Sequence, residues 1–399
     1  MTEVSTNTHA ETRDLTTYEL VLDPKPTAHF GLGSVAKVGD LALRAGATSA
    51  LIVTDPFLAS SPLLEKVRSS LLRSGLSVSV FGGVTPNPTT ACVDEGSDVA
   101  SQAGCDILIA LGGGSAMDTA KGVSLGAVNP ERGTALDYTT SFKNDGLPII
   151  AIPTTAGTGS EVNAFGVITD EKTHRRFYVG HSSALAKAAI LDPELTVGLP
   201  PKATAATGMD ALVHATESYL SARSNPYSDG IALQVVEMVN AHILTAVTHG
   251  EDLEARSQML LASHLAGVGF SHTGLGLVHG IGHALGGQFN IPHGVALCLV
   301  FEQVMRYNLQ WRPTRVARLA FALGVGETSL SGEVNAERAI TRIAELVTVV
   351  GLAGRLSDFG IAKKHLSSLA QDAIDDSVTA NNPEMPSHAH VLSILEIVL

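Results

Sequence analysis

Residues 106–121 read DILIALGGGSAMDTAK, and this stretch decides the fold class. Asp106 to Leu111 is a short apolar run that reads as a buried strand. Three glycines, Gly112 to Gly114, lead from it into a helical segment. Such a turn lets backbone approach a phosphate closely, and the helix start adds free N–H groups and a positive dipole end. The pattern is neither GxGxxG nor GxxxxGK(S/T), and no Lys-Ser/Thr pair closes it to hold magnesium. A nucleoside triphosphate is therefore disfavoured and a pyrophosphate remains natural. A tight strand-to-helix turn with no ligand would give the same residues.

Outward from this turn, Ala50 to Thr54, Ser77 to Phe81 and Pro148 to Ile152 are further strand-like runs. Helical patterns, Leu63 to Ser74 and Cys92 to Gly104, lie between them. The alternation predicts a parallel sheet with helices on both faces, binding ligands beyond the carboxyl ends of its strands. Residues 153–161, PTTAGTGSE, follow one such end. Hydroxyls of Thr154, Thr155 and Thr158 suit a ribose or an amide there, or simply a solvated loop. Asp55 follows another. A carboxylate in that place hydrogen-bonds ribose hydroxyls and repels a 2′-phosphate, which favours NAD over NADP; it equally caps a helix begun by Pro56.

From about Pro201 the chain becomes Ala- and Leu-rich and loses its strand-like runs. Ala203 to Ser221, Ser228 to His249, Leu253 to Val268 and Arg312 to Leu323 read as helices. Pro193, Pro200 and Pro201 interrupt the pattern between the halves. The expected organisation is a loose tail over 1–14, a Rossmann-like α/β unit over 15–195, and an all-helical unit over 196–399.

Composition narrows the function. The 399 residues are 45% hydrophobic and 16% charged, with a formal charge of −13. An acidic chain without a Lys/Arg cluster is a poor partner for nucleic acid or an anionic membrane. Mean hydropathy is +0.22, yet Gly, Asp or His interrupts the apolar stretches before the ~20 residues of a membrane span. The polar start, Met1 to Asp14, has no apolar signal core, so a cytoplasmic enzyme is expected. Cys92, Cys105 and Cys298 are widely spaced and read as unpaired thiols in or near cores.

The strongest chemistry lies in the helical half. Residues 208–214, GMDALVH, put Asp210 and His214 on one helix face; residues 277–286, LVHGIGHALG, do the same for His279 and His283. His293 follows in a Pro/Gly turn. One carboxylate with three or four imidazoles makes a divalent metal site, and the absence of Cys ligands argues against structural zinc. Such donors suit Fe²⁺ or Zn²⁺ alike. His242, His249, His264 and His272 have no comparable setting and read as ordinary polar residues.

Taken together and in order, these segments resemble the iron-containing (group III) alcohol dehydrogenase family, from Phe30-Gly-Leu-Gly33 to Asn381-Asn-Pro383. The resemblance implies a dehydroquinate synthase-like architecture, an NAD-binding domain and a helical metal domain facing across a cleft. It implies Asp210, His214, His279 and His293 as ligands, Fe²⁺ before Zn²⁺, and His283 as a non-ligand histidine near nicotinamide and substrate, relaying the proton. It matches Asp55 to the residue associated with NAD preference, Gly113, Gly114, Ser115 and Asp118 to the pyrophosphate loop, and Thr154, Thr155 and Thr158 to a second cofactor loop. The implied reaction joins a small primary alcohol or diol to its aldehyde, in a homodimer or larger homo-oligomer. Two positions depart from the pattern. Arg176 stands where relatives commonly carry Lys, and its planar fork has different donor geometry. Phe165 replaces a polar residue of a diol-oxidising relative, and with Phe270 it implies an apolar pocket. Alternatives are glycerol dehydrogenase, maleylacetate reductase (which often lacks the ligands), dehydroquinate synthase, an enzyme passing electrons from permanently bound NAD to an external acceptor, and a non-catalytic NAD-binding protein.

Overall fold

The computed structural model describes residues 26–173 and 176–399; the expected tail over 1–14 lies outside the described residues. Eight strands form among the described residues: β1 (Thr27–Phe30), β2 (Ser49–Val53), β3 (Ser77–Phe81), β4 (Ile107–Gly112), β5 (Ile149–Pro153), β6 (Phe165–Thr169), β7 (Arg176–Gly180) and β8 (Ala188–Leu191). Six make one parallel sheet in the order β1-β8-β5-β4-β2-β3. Helices α1 (Val38–Arg44), α2 (Pro56–Ala59), α3 (Pro62–Arg73), α4 (Thr90–Gln102) and α5 (Gly114–Gly126) connect its strands. Both β4 and β5 are buried at every residue, as strands covered on two faces must be, and that is why they read as unbroken apolar runs.

The expected α/β architecture is present, with strands the sequence reading did not anticipate. β1 (TAHF) and β8 (AAIL) are four-residue strands without a β-branched run; they form by pairing with one another, and β8 also with β5. β6 and β7 pair antiparallel, Phe165 opposite Gly180 and Thr169 opposite Arg176. This hairpin stands apart from the main sheet, against α5. Between β2 and β4 the connections diverge, one leading outward to β3 and the other inward toward β5. Ligands collect at such a switch point, and Asp55 and the Gly112–Gly114 turn both end there.

Helices build the second half: α6 (Pro201–Leu220), α7 (Pro226–Thr248), α8 (Leu253–Thr273), α9 (Leu277–Phe289), α10 (His293–Leu309), α11 (Pro313–Ala322), α12 (Gly332–Val349), α13 (Leu366–Asp375) and α14 (His388–Ile397). α6 is buried continuously from Gly208 to Leu220, packed against α7, α8 and α10. α8 runs past the expected end at Val268 and stops at Gly274, where φ is +69°. α7 alone among the described residues is long and, on average, apolar enough to cross a membrane, although Asp229, Gly230, Glu237 and His242 interrupt it as expected. One face of it packs Val235, Val236, Val239 and Ile243 into the same core as α6 and α8. At Gly294 a Cβ would stand 2.1 Å from the Ala206 carbonyl, so α10 starts in direct contact with α6. This contact brings His293 to the face that carries Asp210.

Candidate metal and cofactor cleft

Asp210, His279 and His293 bring donor atoms within 4.8 Å of one another. The Asp210 Oδ1 atom lies 3.4 Å from His214 Nε2, 3.5 Å from His279 Nε2 and 3.7 Å from His293 Nε2. A tetrahedral ion with bonds of ~2.1 Å separates its ligands by ~3.4 Å. Asp210 Oδ1 and His279 Nε2 are buried without a hydrogen-bond partner. Orphaned buried polar atoms are costly and rare, and here they converge on one point. The donor set therefore fits a divalent cation.

Two of the three rings are held from behind. His214 donates from Nδ1 to the Gly157 carbonyl at 3.2 Å, and His279 donates from Nδ1 to Glu217 Oε2 at 2.6 Å. Each bond commits Nδ1 and leaves Nε2 to face Asp210. Burial pulls His214 down to about 4. At His279 burial acts the same way, but Glu217 and Asp210 outweigh it and lift the group to about 9. Asp210 is raised by burial and lowered more strongly by its imidazole neighbours, His214 first, leaving its carboxyl well below the usual range.

Glu217 was not singled out in the sequence. It also accepts the amides of Gly276 and Val278 at 2.9 and 2.6 Å, so one carboxylate orients a ring and caps the start of α9. Its position seven residues after Asp210 on the same helix face was the available signal. Glu217→Gln is expected to weaken metal affinity ~10–100-fold with little change in fold. Metal titration of the variant checks this, and wild-type affinity would remove Glu217 from the role.

His283 projects from α9 one turn beyond His279. Its ring stacks on His293 at 5.5 Å between centroids, and Nδ1 donates to Asp376 Oδ2 at 2.7 Å. Phe270 packs 4.6 Å from the His214 ring. Phe165, 49% exposed, meets Tyr138 edge to face at the opening. Both phenylalanines line a cleft of about 620 Å³ that also contains Gly114, Ser115, Asp118, Thr158, Asp210, His214, His279, His283 and His293.

At the sheet end of this cleft the two expected loops touch. A Cβ on Gly113 would stand 3.1 Å from Thr155 Cγ2, and one on Gly114 2.8 Å from Thr158 Cγ2. α5 begins without a side-chain cap at Gly113, so its first amides can receive an anion. Thr154 is buried, and its amide donates to the Gly112 carbonyl at 3.0 Å. Asp55 caps α2: its Oδ1 accepts the amides of Phe57 and Leu58, while Oδ2 lies 3.9 Å from where a Gly112 Cβ would stand. Capping and a ribose contact can thus use different oxygens.

Asp118, grouped with the phosphate loop in the sequence, is engaged elsewhere. Its carboxylate accepts from Ser160 Oγ at 2.9 Å and the Val167 amide at 3.1 Å, tying α5 to the second loop and the hairpin. Arg176 donates to Asn87 Oδ1 at 2.8 Å, and Asn87 in turn donates to Asn290 Oδ1 at 3.0 Å. Among the four histidines set aside, His264 is buried and pairs with Glu161 at 3.0 Å. None of the four lines the cleft.

Comparison with known proteins decides the family. Residues 25–193 match the iron-containing alcohol dehydrogenase model, and residues 204–399 match the C-terminal model of the Fe-containing alcohol dehydrogenase family. The chain belongs to the iron-containing alcohol dehydrogenase family. It is an enzyme, an oxidoreductase that interconverts alcohols and aldehydes. The chain is 38% identical to the NAD-dependent methanol dehydrogenase of Bacillus methanolicus over 374 residues, covering 94% of this chain and 98% of that protein. It is 38% identical to the lactaldehyde reductase of Escherichia coli K12 over 359 residues, covering 90% and 94%. Among solved structures, a 1,3-propanediol oxidoreductase superposes with a TM-score of 0.92 at 34% identity, covering 95% of this chain and all (100%) of the other. An Oenococcus oeni alcohol dehydrogenase superposes with a TM-score of 0.91 at 34% identity, covering 95% and 100%. As an iron-containing alcohol dehydrogenase, the chain has the fold its glycine turn and histidine helices led us to expect.

Proposed function

We propose that this iron-containing alcohol dehydrogenase transfers hydride reversibly between NAD and a small primary alcohol or diol. In this reading Asp210, His214, His279 and His293 hold the divalent cation, Fe²⁺ before Zn²⁺. The observation that carries it is the unpartnered Asp210 Oδ1, with three imidazole Nε2 atoms at 3.4, 3.5 and 3.7 Å. A bound cation supplies Lewis acidity, favouring the alkoxide form of the substrate. The protein's own residues bind, orient and exclude water. Gly113, Gly114, Ser115 and the α5 amides receive the pyrophosphate, with Thr154, Thr155 and Thr158 shaping the second wall. Asp55 Oδ2 meets the ribose and disfavours a 2′-phosphate. Phe165 and Phe270 keep the substrate end apolar, and His283 Nε2 takes the alcohol proton.

The units 15–195 and 196–399 then meet around this cleft, in a cytoplasmic homo-oligomer acting on small molecules, without nucleic acid or membrane partners. NADH absorbance with a panel of primary alcohols and diols tests the function, on protein stripped of metal and then given Fe²⁺ or Zn²⁺. Metal-restored NADH is the expected result; no NADH with NAD and metal bound would turn the reading toward an external acceptor. His283→Ala is expected to lose ~10²-fold or more in kcat while keeping its metal. Loss of metal in this variant would move His283 into the ligand shell.

A further inference from the structure

Asp376 lies just beyond α13 and was not part of any sequence motif. Its Oδ2 accepts from His283 Nδ1 at 2.7 Å, and its Oδ1 accepts from Tyr178 Oη at 3.3 Å and from the Val378 amide at 3.0 Å. The side chains of His283 and Asp376 are only 13% and 14% exposed. Tyr178 comes from β7, His283 from α9 and Asp376 from the segment after α13, so three distant parts of the chain meet at one carboxylate. Tyr178, His283 and Val378 all line the cleft.

We propose that Asp376, steadied by Tyr178, is a positioning residue that fixes His283 as its Nδ1–H tautomer with the Nε2 lone pair turned into the cleft. The proposal rests on the reading of His283 as the proton acceptor. An ionised carboxylate only accepts hydrogen bonds, so the nitrogen facing it must carry the proton. The other nitrogen is then left free to accept one from the alcohol. Both remaining donors, Tyr178 O–H and Val378 N–H, claim Oδ1. This makes Asp376→Asn a directed perturbation. With Oδ1 still occupied as acceptor, the new NH₂ group must stand in the place of Oδ2 and donate toward Nδ1. The ring then carries its proton on Nε2 and can no longer accept one from the cleft side. The stack on His293 holds the ring plane, so the change is in proton position rather than in ring placement.

The test compares Asp376→Asn in the wild-type and His283→Ala backgrounds, with zinc-loaded, ¹⁵N-histidine-labelled protein as a second readout. We expect kcat to fall ~10²-fold with KM within ~3-fold, and metal content and melting temperature unchanged. In the His283→Ala background the same substitution should lower kcat by less than ~2-fold, because a residue acting only through His283 has nothing left to position. In the nitrogen spectrum the His283 proton should move from Nδ1 to Nε2. Tyr178→Phe, which leaves the Val378 bond in place, should cost ~3–10-fold in kcat only while Asp376 is present. An equal loss of kcat in both backgrounds, loss of metal, or an unchanged His283 tautomer would overturn the proposal. Absence of NADH from the wild type would instead fail the functional reading, while the tautomer measurement still decides this one.

Discussion

Asp210→Asn is expected to release the cation and to lower kcat by at least ~10³-fold, the scale of several kcal/mol of lost Lewis-acid stabilisation. Asp210 is the hub of the cluster: three imidazole Nε2 atoms lie 3.4, 3.5 and 3.7 Å from its Oδ1. It is also the one anion among the four donors. The amide keeps the shape of the side chain but removes the charge that offsets a buried divalent ion. Elemental analysis after dialysis, followed by kcat with metal added back, measures both effects. Full occupancy with near-normal turnover would show that the cation is held elsewhere.

Lys121→Met is expected to destabilise the fold by ~3–5 kcal/mol, the range for breaking a buried ion pair from one side. The Lys121 ammonium is 4% exposed as a residue. Its three N–H groups are shared among four acceptors, Ser160 O at 2.8 Å, Ser160 Oγ at 2.7 Å, Asn163 Oδ1 at 2.9 Å and Phe165 O at 2.5 Å, and it lies 4.0 Å from Asp118. Methionine fills the space but leaves these acceptors and the Asp118 carboxylate facing a thioether. Chemical denaturation gives the loss; a change under ~1 kcal/mol would mean that water or rearrangement satisfies them. The same group makes a pH prediction. Burial, against the pull of Asp118 and Glu161, lowers the amine from 10.5 to about 8. Between those values the unfolded chain binds more protons than the folded one, so the Lys121 contribution to stability rises with pH by up to ~1.4 kcal/mol per unit. Subtracting the curve of Lys121→Met from that of the wild type isolates the rise.

What could be read in the sequence follows from how local each signal is. β4 and β5 were legible because strands buried on both faces are uniformly apolar. β1 and β8 were not, since His29 and the Ala188-Ala189 pair carry little strand preference and form strands only through neighbours already in the sheet. The β6–β7 hairpin was missed because every second residue, Phe165, Val167, Thr169, Arg176 and Tyr178, lines the cleft; burial alternates along β6, but apolar residues stand on both faces and the sequence shows no apolar–polar contrast. The histidines of α9 were legible through their helical spacing and flanking glycines. Glu217 and Asp376 were not, because an acidic residue on a helix or in a turn is common, and only the tertiary structure shows which imidazole it faces. Lys121 follows the glycine turn in sequence, yet its ammonium meets Ser160, Asn163 and Phe165 of the second loop and the hairpin, a direction no linear motif records.

The hydrogen bond from His214 Nδ1 to the Gly157 carbonyl, 3.2 Å long, would join the two proposed ligand sites in a thermodynamic cycle. Gly157 belongs to the threonine loop, so on the proposed assignment the loop conformation that receives the dinucleotide is also the one that aims His214 at the cation. By linkage, whatever factor metal adds to NAD affinity, NAD must add to metal affinity, with typical coupling of ~1–3 kcal/mol. Calorimetric titration of NAD with and without Zn²⁺ should give that factor, and the reverse titration should return the same value. Two independent affinities would mean that the loop moves without carrying the ring. If they are coupled, the dinucleotide retards loss of the cation, and each partner arriving first prepares the site for the other.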